Sequence, residues 1–483
     1  MRNMVEIAGR RPLSLLLTSG VALGWGLLAG RWAVANHRHF STSLYDLAIY
    51  DNVLWRTVHG HLLGSSIIPG GSHAGTHFDP VLILLAPLYA LAPQAETLLV
   101  FQALWLASGA IPLFLLGRRV LRDEPAALFL ATALLAHPSL HGPTFYDFHS
   151  VSLAGPLFLW LLFFLESGRD RWYVAAFALL LITREDMALL VIPVGLYAWT
   201  GGRPGLGRLT VAGAFLWLAL VKLGLALWAG GGDDFAWYYR DLVEKPDGTL
   251  GDLVVSVVTR PDRAVRHILG APRLAYLGLM FGPLLFLPFL ARRGRYLMAY
   301  GLMATLLASR GAMHSVHFQY TTLIYPFAFA LSATAVTRLV ARPDRRRLLA
   351  GAVLVLSLAA GLRFGALAPN DSFRAGYADF RPRSDASLAA QYQDLVLLRA
   401  MIPGESSVAA SWHVAPHVSN RRTIVEFPDS FTDQEWVIVR TEDFAASRRR
   451  GELESGLQKL RASGAYAMVG QGAGGLSVWR RLD

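Results

Sequence analysis

The chain lacks cysteine and has few charged residues. None of its 483 residues is cysteine, which excludes disulfides, thiolate metal sites and cysteine nucleophiles. Only 16% of the residues are charged, whereas 54% are hydrophobic. A soluble protein of this length would need far more polar surface. The composition therefore predicts an α-helical polytopic membrane protein and excludes a soluble multidomain protein.

The basic residues form no continuous stripe, although the formal net charge is +11. Arginines instead occur in short clusters between apolar runs, such as Arg118 to Arg122 and Arg338 to Arg347. Nucleic-acid-binding proteins concentrate basic residues on one face, so we expect no nucleic-acid partner. Clusters of this kind are typical of cytoplasmic loops. The partner that this pattern predicts is the lipid bilayer.

About eleven apolar segments follow one another between residues 13 and 367. A helix needs about 20 residues to cross a bilayer, and the basic clusters place the N-terminus in the cytoplasm. We therefore expect a multi-pass protein of the cytoplasmic (inner) membrane, with a transmembrane domain over residues 1–368. Its two large outer loops are predicted at residues 31–95 and 230–272.

Residues 369–483 have shorter apolar runs and more charge than the rest of the chain. Their pattern predicts helices at 384–401 and 448–462 and strands at 406–411, 423–427, 435–440 and 466–469. The glycines of 470–475 match the spacing of a dinucleotide fingerprint, but a strand follows them rather than a helix. They therefore predict a hairpin. We expect a small extracytoplasmic α/β domain over residues 369–483.

Two carboxylates lie on one short helical pattern in the first predicted outer loop. Asp46 follows Ser43 by three residues, which fits a helix capping box. It also fits a general base that deprotonates an acceptor hydroxyl at the membrane surface, a role that partial burial would favour by raising its pKa. Asp51 lies five residues further on, so on a continuous helix it points away from Asp46. It is either a second, positioning group or a solvated carboxylate.

Polar residues at the ends of several predicted spans, and Lys222 inside one span, are candidates for substrate binding. Arginine binds phosphate in bidentate fashion, and charges at membrane depth tend to be functional or paired. These candidates are His77, Asp147, His149, Arg184, Glu185, Asp186, Lys222, Arg310, His314 and His317. Simpler alternatives are an Arg184–Glu185 pair that tightens a turn, a Lys222 side chain that reaches the bilayer surface, and solvated loop residues.

His73 and His77 have the spacing of two metal ligands on one helix face. Three glycines, Gly70, Gly71 and Gly75, argue against a regular helix at this point. We therefore expect no metal site here and favour His77 as a hydrogen-bond donor to a phosphate or a sugar. No cofactor is required by the residues, and a divalent metal such as Mg²⁺ or Mn²⁺ is neither required nor excluded.

The segment from Tyr45 to Trp55, YDLAIYDNVLW, resembles the FDLGIFDQAVW segment of an uncharacterised family of bacterial and archaeal membrane proteins. Tyr45 stands for the usual Phe of that segment and Asn52 for its Gln. The other segments that are similar to this family are His77–Pro80, Ala86–Tyr89, Asp147–His149, Arg184–Asp186 (usually Lys-Glu-Asp), Gln319–Tyr320 and the tail from Ser407 to Arg422. The resemblance covers nearly the whole chain.

The layout of that family is similar to that of GT-C glycosyltransferases. This resemblance implies transfer of a sugar from a polyprenyl-phosphate donor to an extracytoplasmic glycan, lipid or protein acceptor. It places the base on Asp46, with Asp51 second, and adds Gln319 and Tyr320 to the substrate-binding candidates. The predicted function is therefore an inverting membrane glycosyltransferase.

The alternative is a membrane protein without chemistry, either a transporter or a lipid-binding or envelope-assembly protein. Transporters typically carry repeated halves and helices that break near the middle of the bilayer. This chain has no evident internal repeat, and its polar candidates collect at one predicted face. Both features favour the transferase.

Overall fold

Helices account for most of the chain up to residue 364 in the computed structural model, which describes residues 13–228, 235–243, 245, 248–380, 385–445 and 447–482. The first nine helices are α1 (Leu13–Arg38), α2 (Ile49–Val58), α3 (Val81–Ala90), α4 (Ala95–Ser108), α5 (Ala110–Leu121), α6 (Glu124–Ala136), α7 (Pro138–Phe145), α8 (Ala154–Ser167) and α9 (Asp170–Thr183). The next nine are α10 (Met187–Thr200), α11 (Pro204–Trp228), α12 (Leu250–Thr259), α13 (Pro261–Ile268), α14 (Ala271–Phe281), α15 (Leu287–Leu290), α16 (Ala299–Leu306), α17 (Tyr325–Leu339) and α18 (Pro343–Phe364).

Five helical stretches within the described ranges are long and apolar enough to cross a membrane. They are Leu13–Arg38, Ala95–Leu121, Ser150–Ser167, Pro204–Leu225 and Pro343–Phe364. Several shorter apolar helices, among them α6 and α10, lie between them. The predicted α-helical polytopic class is thus confirmed, and the number of about eleven spans stays a prediction.

The centre of the helical bundle is aromatic and closely packed. Phe158 on α8 and Phe327 on α17 are fully buried, with ring centroids 4.8 Å apart. Gly155 lets these two helices approach, because a Cβ atom there would lie only 1.8 Å from the hydroxyl of Tyr325. Small residues commonly permit such contacts between membrane helices.

The C-terminal part is an α/β unit. Its elements are β1 (Arg374–Ala375), β2 (Ala378–Asp379), α19 (Ala386–Arg399), β3 (Val408–Ala410), β4 (Ile424–Glu426), β5 (Trp436–Arg440), α20 (Glu442–Ala445), α21 (Arg450–Ala462), β6 (Tyr466–Gly472) and β7 (Leu476–Arg481). Five strands form one sheet in the order β4-β3-β5-β7-β6, in which β3 is parallel to β4 and β5. The β5–β7 and β6–β7 pairs are antiparallel, and the glycines between β6 and β7 form the predicted hairpin.

The segment that follows α1 packs into this α/β unit. Phe40, Leu44 and Ala48 are buried in one apolar cluster with Leu395 of α19 and Ile438 of β5. The chain that carries Asp46 is therefore held between the helical bundle and the sheet. The predicted domain boundary at residue 368, just after α18, stays a prediction.

Candidate functional site

Asp46 lies in a single turn of π-helix, Leu44–Ala48, that leads directly into α2. The start of this turn is bound by a distant carboxylate, because the backbone N–H groups of Ser43 and Leu47 donate to Oδ2 of Asp147 at 2.9 and 3.3 Å. The capping-box alternative is wrong, since the Ser43 side chain makes no capping hydrogen bond. Asp147 satisfies donors that a capping side chain would otherwise bind.

Three side chains bind the carboxylate of Asp46. Oδ2 lies 2.8 Å from the Ser43 hydroxyl and 2.5 Å from the Tyr146 hydroxyl, and Oδ1 lies 3.0 Å from Nε2 of His149. A carboxylate has about four acceptor positions, so one position on Oδ1 stays open. The side chain is 22% exposed, so part of the carboxylate is accessible to small polar molecules.

Two oxygen atoms hold the ring of His149 in place. Its Nδ1 is 3.0 Å from the backbone oxygen of Asp147, which can only accept, and its Nε2 faces Asp46. Both ring nitrogens therefore face oxygen acceptors.

The pKa values of Asp46 and Asp147 shift in opposite directions. Burial alone would raise the pKa of Asp46, but the hydrogen bond and charge of His149, with the Tyr146 and Ser43 hydroxyls, lower it below its ordinary value. The expected upward shift at Asp46 is therefore not found. Burial and the nearby charge of Asp46 instead raise the pKa of Asp147 to about 7. Asp46 is the ionised member of the two.

A closed circuit of side-chain contacts, here called the Asp46 circuit, joins several predicted candidates. Its hydrogen bonds measure 2.5 to 3.5 Å and its ring centroids lie 4.9 to 6.4 Å apart. It passes through Asp46, Tyr146, Tyr377, Arg310, Tyr238, Phe235, His77, His73, Tyr50 and His149 before returning to Asp46. Residues far apart in sequence thus surround one region.

Arg310 is held in the circuit by aromatic residues. Its guanidinium donates to the Tyr377 hydroxyl at 2.8 and 3.2 Å, and it lies 5.4 Å from the ring centroids of Trp237 and Tyr238. Within the described ranges, no carboxylate forms an ion pair with it. Aromatic faces stabilise a cation without neutralising it, so Arg310 keeps a full charge for an anionic ligand.

The predicted candidates at the turn between α9 and α10 are already paired. Arg184 forms a bidentate ion pair with Asp186, with one N–H···O distance of 2.6 Å. Glu185 accepts from the backbone N–H of Phe78 and lies 2.9 Å from Nδ1 of His77. Burial opposes ionisation of Glu185, but His77 lowers its pKa to about 2. This turn therefore fixes the position of His77 in the circuit.

Tyr320 lies near both guanidinium groups. Burial and Tyr238 raise its pKa, whereas Arg310 and Arg184 act in the opposite direction. The guanidinium groups of Arg184 and Arg310 therefore both favour the ionised form of Tyr320. Tyr320 was a candidate from resemblance alone, and its surroundings link the Arg184 turn to the Asp46 circuit.

Four further candidates lie outside the circuit. Lys222 is exposed on α11 and forms no hydrogen bond or ion pair with another described residue. His314 is buried near Arg273, which with burial lowers its pKa to about 4. His317 accepts from the backbone N–H of Arg374 at 3.2 Å and so anchors the segment that leads to Tyr377. Gln319 is buried, and its Oε1 has no partner among the described residues.

Asp51 connects the first loop to the C-terminal unit. Its two oxygens accept from the hydroxyls of Tyr89 at 2.6 Å and Ser419 at 2.7 Å. The side chain is fully buried, and burial raises its pKa to about 7 although both hydroxyls act against that shift. Asp51 thus joins α2 to α3 and to the loop before β4, apart from the Asp46 circuit.

Metal-binding geometry is not evident at these residues. No group of three or more His, Cys, Asp or Glu side chains in the described part of the chain is arranged to hold an ion. The ring centroids of His73 and His77 are 6.3 Å apart, and His73 lies 3.1 Å from Asp79 instead. The two histidines are therefore engaged with different carboxylates.

Sequence reasoning missed the aromatic residues of the circuit. Tyr146 directly precedes Asp147, which was a predicted candidate, but no sequence pattern singles out the tyrosine itself. Tyr238 and Tyr377 carry no local signal, because they reach Arg310 from segments 72 and 67 residues away. Such contacts depend on the packing of separate elements.

The chain is similar in fold to solved structures of GT-C glycosyltransferases. It is similar to the crystal structure of ArnT from Cupriavidus metallidurans bound to undecaprenyl phosphate, with a TM-score of 0.54, 12% identity and coverage of 98% of this chain and 99% of that one. No curated protein sequence matches the chain.

Two structures of archaeal oligosaccharyltransferases from Archaeoglobus fulgidus are also similar. One, in complex with zinc and sulfate, has a TM-score of 0.40, 14% identity and coverage of 97% of this chain and 73% of that one. The other, AglB with an inhibitory peptide and a dolichol-phosphate, has a TM-score of 0.43, 12% identity and coverage of 92% and 72%.

The chain belongs to the family described as "Predicted membrane protein (DUF2079)", whose model matches residues 36–478. The match covers the Asp46 segment, the helical bundle and nearly all of the C-terminal sheet. The resemblance expected from the sequence is therefore confirmed.

Proposed function

We propose that this protein is an inverting membrane glycosyltransferase that moves a sugar from a polyprenyl-phosphate donor to an acceptor hydroxyl outside the cytoplasm. The observation that carries the proposal is the Asp46 circuit, which joins a partly exposed, ionised carboxylate to an arginine without an acidic partner among the described residues. ArnT, whose fold is similar, was crystallised with undecaprenyl phosphate. A lipid-linked phosphate is a ligand that such an arginine suits.

In the proposed reaction, Oδ1 of Asp46 accepts the proton of the acceptor hydroxyl at its open position. The acceptor oxygen forms a bond to the anomeric carbon from the face opposite the phosphate. The bond between that carbon and the phosphate oxygen breaks, and its electron pair leaves with the polyprenyl phosphate. Attack from the opposite face inverts the anomeric centre.

Arg310 binds the donor phosphate in this proposal. Its aromatic neighbours hold the guanidinium in place, and its charge stabilises the phosphate as negative charge develops on the leaving oxygen. His77 and Tyr320 line the same region. We propose that Asp51 supports the loop through Tyr89 and Ser419 without touching substrate, and that Lys222 contacts lipid head groups rather than the donor.

The direct test is turnover of a polyprenyl-phosphate sugar by purified protein in nanodiscs. Asp46→Asn keeps the shape of the side chain but removes its basicity, and we expect transfer to fall by about 10²- to 10⁴-fold. Asp371→Asn, at an exposed carboxylate after α18, is the matched control and should keep wild-type turnover. Equal turnover by wild type and Asp46→Asn would remove the assignment.

Arg310 has its own test in the same assay. Arg310→Gln should raise the KM for the donor by about 10- to 100-fold, because charged hydrogen bonds contribute roughly 1.5–3 kcal/mol. Arg310→Lys should recover part of that loss, since lysine keeps the charge but lacks the planar fork. A protein that binds the lipid donor but never cleaves it would instead be a lipid-binding protein.

A further inference from the structure

An open pair of aromatic rings lies directly beside Asp46. Tyr45 is 47% exposed and Trp412 is 36% exposed. Their ring centroids are 5.1 Å apart at an interplanar angle of 67°. Large aromatic rings are usually covered in a folded protein, and exposed ones next to a candidate reactive group indicate a binding surface.

The position of Trp412 in the sheet supports the same interpretation. Trp412 follows the carboxyl end of β3, between parallel neighbours β4 and β5. The chain leaves β3 towards β4 and leaves β5 towards the other side of the sheet. Ligands of open α/β sheets bind outside the carboxyl ends of the strands at such a reversal of order. This edge of the sheet faces the Asp46 segment, because His413 lies 2.8 Å from the backbone oxygen of Thr42.

The charge at this edge differs from the charge around Arg310. The Tyr45 hydroxyl donates to Glu426 at 2.8 Å, and Glu426, Asp429 and Glu452 surround the single guanidinium of Arg449. Carboxylates therefore outnumber cations beside Tyr45. A phosphate or another anion is repelled here, whereas carboxylates and a phenol form hydrogen bonds with uncharged hydroxyl groups.

We propose that Tyr45 and Trp412 form an acceptor subsite for an uncharged sugar ring. The apolar C–H face of a pyranose packs on the electron-rich face of an aromatic ring, and its hydroxyls reach Glu426 and its neighbours. Tyr45 directly precedes Asp46, so a sugar on these rings lies beside the segment that carries the candidate base. The inference rests on the proposed function: the donor phosphate binds at Arg310, and the acceptor binds at Tyr45 and Trp412.

Binding can be measured without knowing the natural acceptor. The probes are cellobiose, maltose and N,N′-diacetylchitobiose, with a glucuronate-containing disaccharide as the anionic comparison, in saturation-transfer NMR on full-length protein in nanodiscs. We expect saturation of the ring protons of a neutral disaccharide and little for the anionic one. Trp412→Ala should weaken this binding by about two- to tenfold, the range expected for the loss of one aromatic contact.

Two further variants keep the test decisive. Trp412→Phe retains a ring and should recover part of the binding even if Trp412→Ala folds poorly. Leu397→Ala, at an exposed apolar residue of α19 in the same unit (70% exposed), should bind like wild type. Equal binding by wild type and Trp412→Ala, stronger binding of the anionic disaccharide, or no binding of any neutral probe would overturn the subsite.

Hydrolysis of the lipid-linked donor by water separates this inference from the proposed function. Donor hydrolysis without Trp412-dependent sugar binding would refute the subsite alone. Trp412-dependent binding without donor hydrolysis or transfer in the wild type would refute the enzymatic assignment and leave a saccharide-binding membrane protein.

Discussion

The hydroxyl of Tyr146 lies 2.5 Å from Oδ2 of Asp46, across 100 residues of sequence. Tyr146 is buried and reaches Asp46 from the end of α7, while Gly376 packs against the back of its ring. The orientation of the candidate base therefore depends on a tyrosine from the helical bundle and on a glycine at the start of the C-terminal part.

Gly376→Ala should disturb this contact. An added Cβ would lie 2.0 Å from the Tyr146 ring, and the φ of +65° at this position disfavours any residue with a side chain. We expect donor turnover to fall by at least about tenfold, since small displacements of catalytic groups are costly. Gly278→Ala on α14, where a Cβ would meet nothing within 4 Å, should leave turnover unchanged. Normal turnover in Gly376→Ala would show that the position of Tyr146 does not matter.

Asp147 should prove to be a positioning residue. Asp147→Ala leaves the N–H groups of Ser43 and Leu47 without their acceptor, which costs about 1–3 kcal/mol for each buried group left unpaired. Asp147→Asn retains one carbonyl oxygen and should lose less. The measurements are the apparent unfolding temperature in detergent and the rate of transfer. A larger defect in Asp147→Asn than in Asp147→Ala would contradict this role.

His149 should determine the pH below which protonation of Asp46 abolishes transfer. The hydrogen bond and charge of His149 lower the pKa of Asp46 against the effect of burial, so the wild-type acid limb of kcat/KM lies below the ordinary carboxylate value. His149→Gln keeps a donor but removes the charge, and the acid limb should move to higher pH, by about one unit or more. His61→Gln, at an exposed histidine of the same loop, is the control. An acid limb that stays in place or moves down would refute this coupling.

Asp51 should make the free energy of unfolding depend on pH below about pH 7. Its pKa rises from 3.8 to about 7 on folding, so the folded state holds a proton that the unfolded state has lost. Stability therefore falls as pH rises through this range and levels off above pH 7. Between pH 5 and 8 the apparent unfolding temperature should fall less for Asp51→Asn than for the wild type. Asp371→Asn should follow the wild-type slope, and an unchanged slope in Asp51→Asn would contradict the burial argument.

Much of the secondary structure follows from local pattern. The strands predicted at 423–427 and 435–440 appear as Ile424–Glu426 and Trp436–Arg440, and the hairpin after β6 appears where the glycines lie. Short apolar runs between polar turns predict such strands. The turn expected at Arg184 appears between α9 and α10, because charged residues interrupt two apolar runs there.

The sequence alone determined that the chain is an α-helical membrane protein with a C-terminal α/β unit, and it singled out Asp46 as a candidate. Hydrophobic runs and their charged interruptions are properties of neighbouring residues, so they can be read locally. Only the tertiary structure decided that the pKa of Asp46 falls rather than rises, and that Arg310 contacts aromatic rings and forms no ion pair with a carboxylate in the described part of the chain. It also placed Asp51 beside Ser419 and Trp412 beside Tyr45. Burial and charge at a site are sums over side chains that lie hundreds of residues apart, and folding alone brings them within reach of one another.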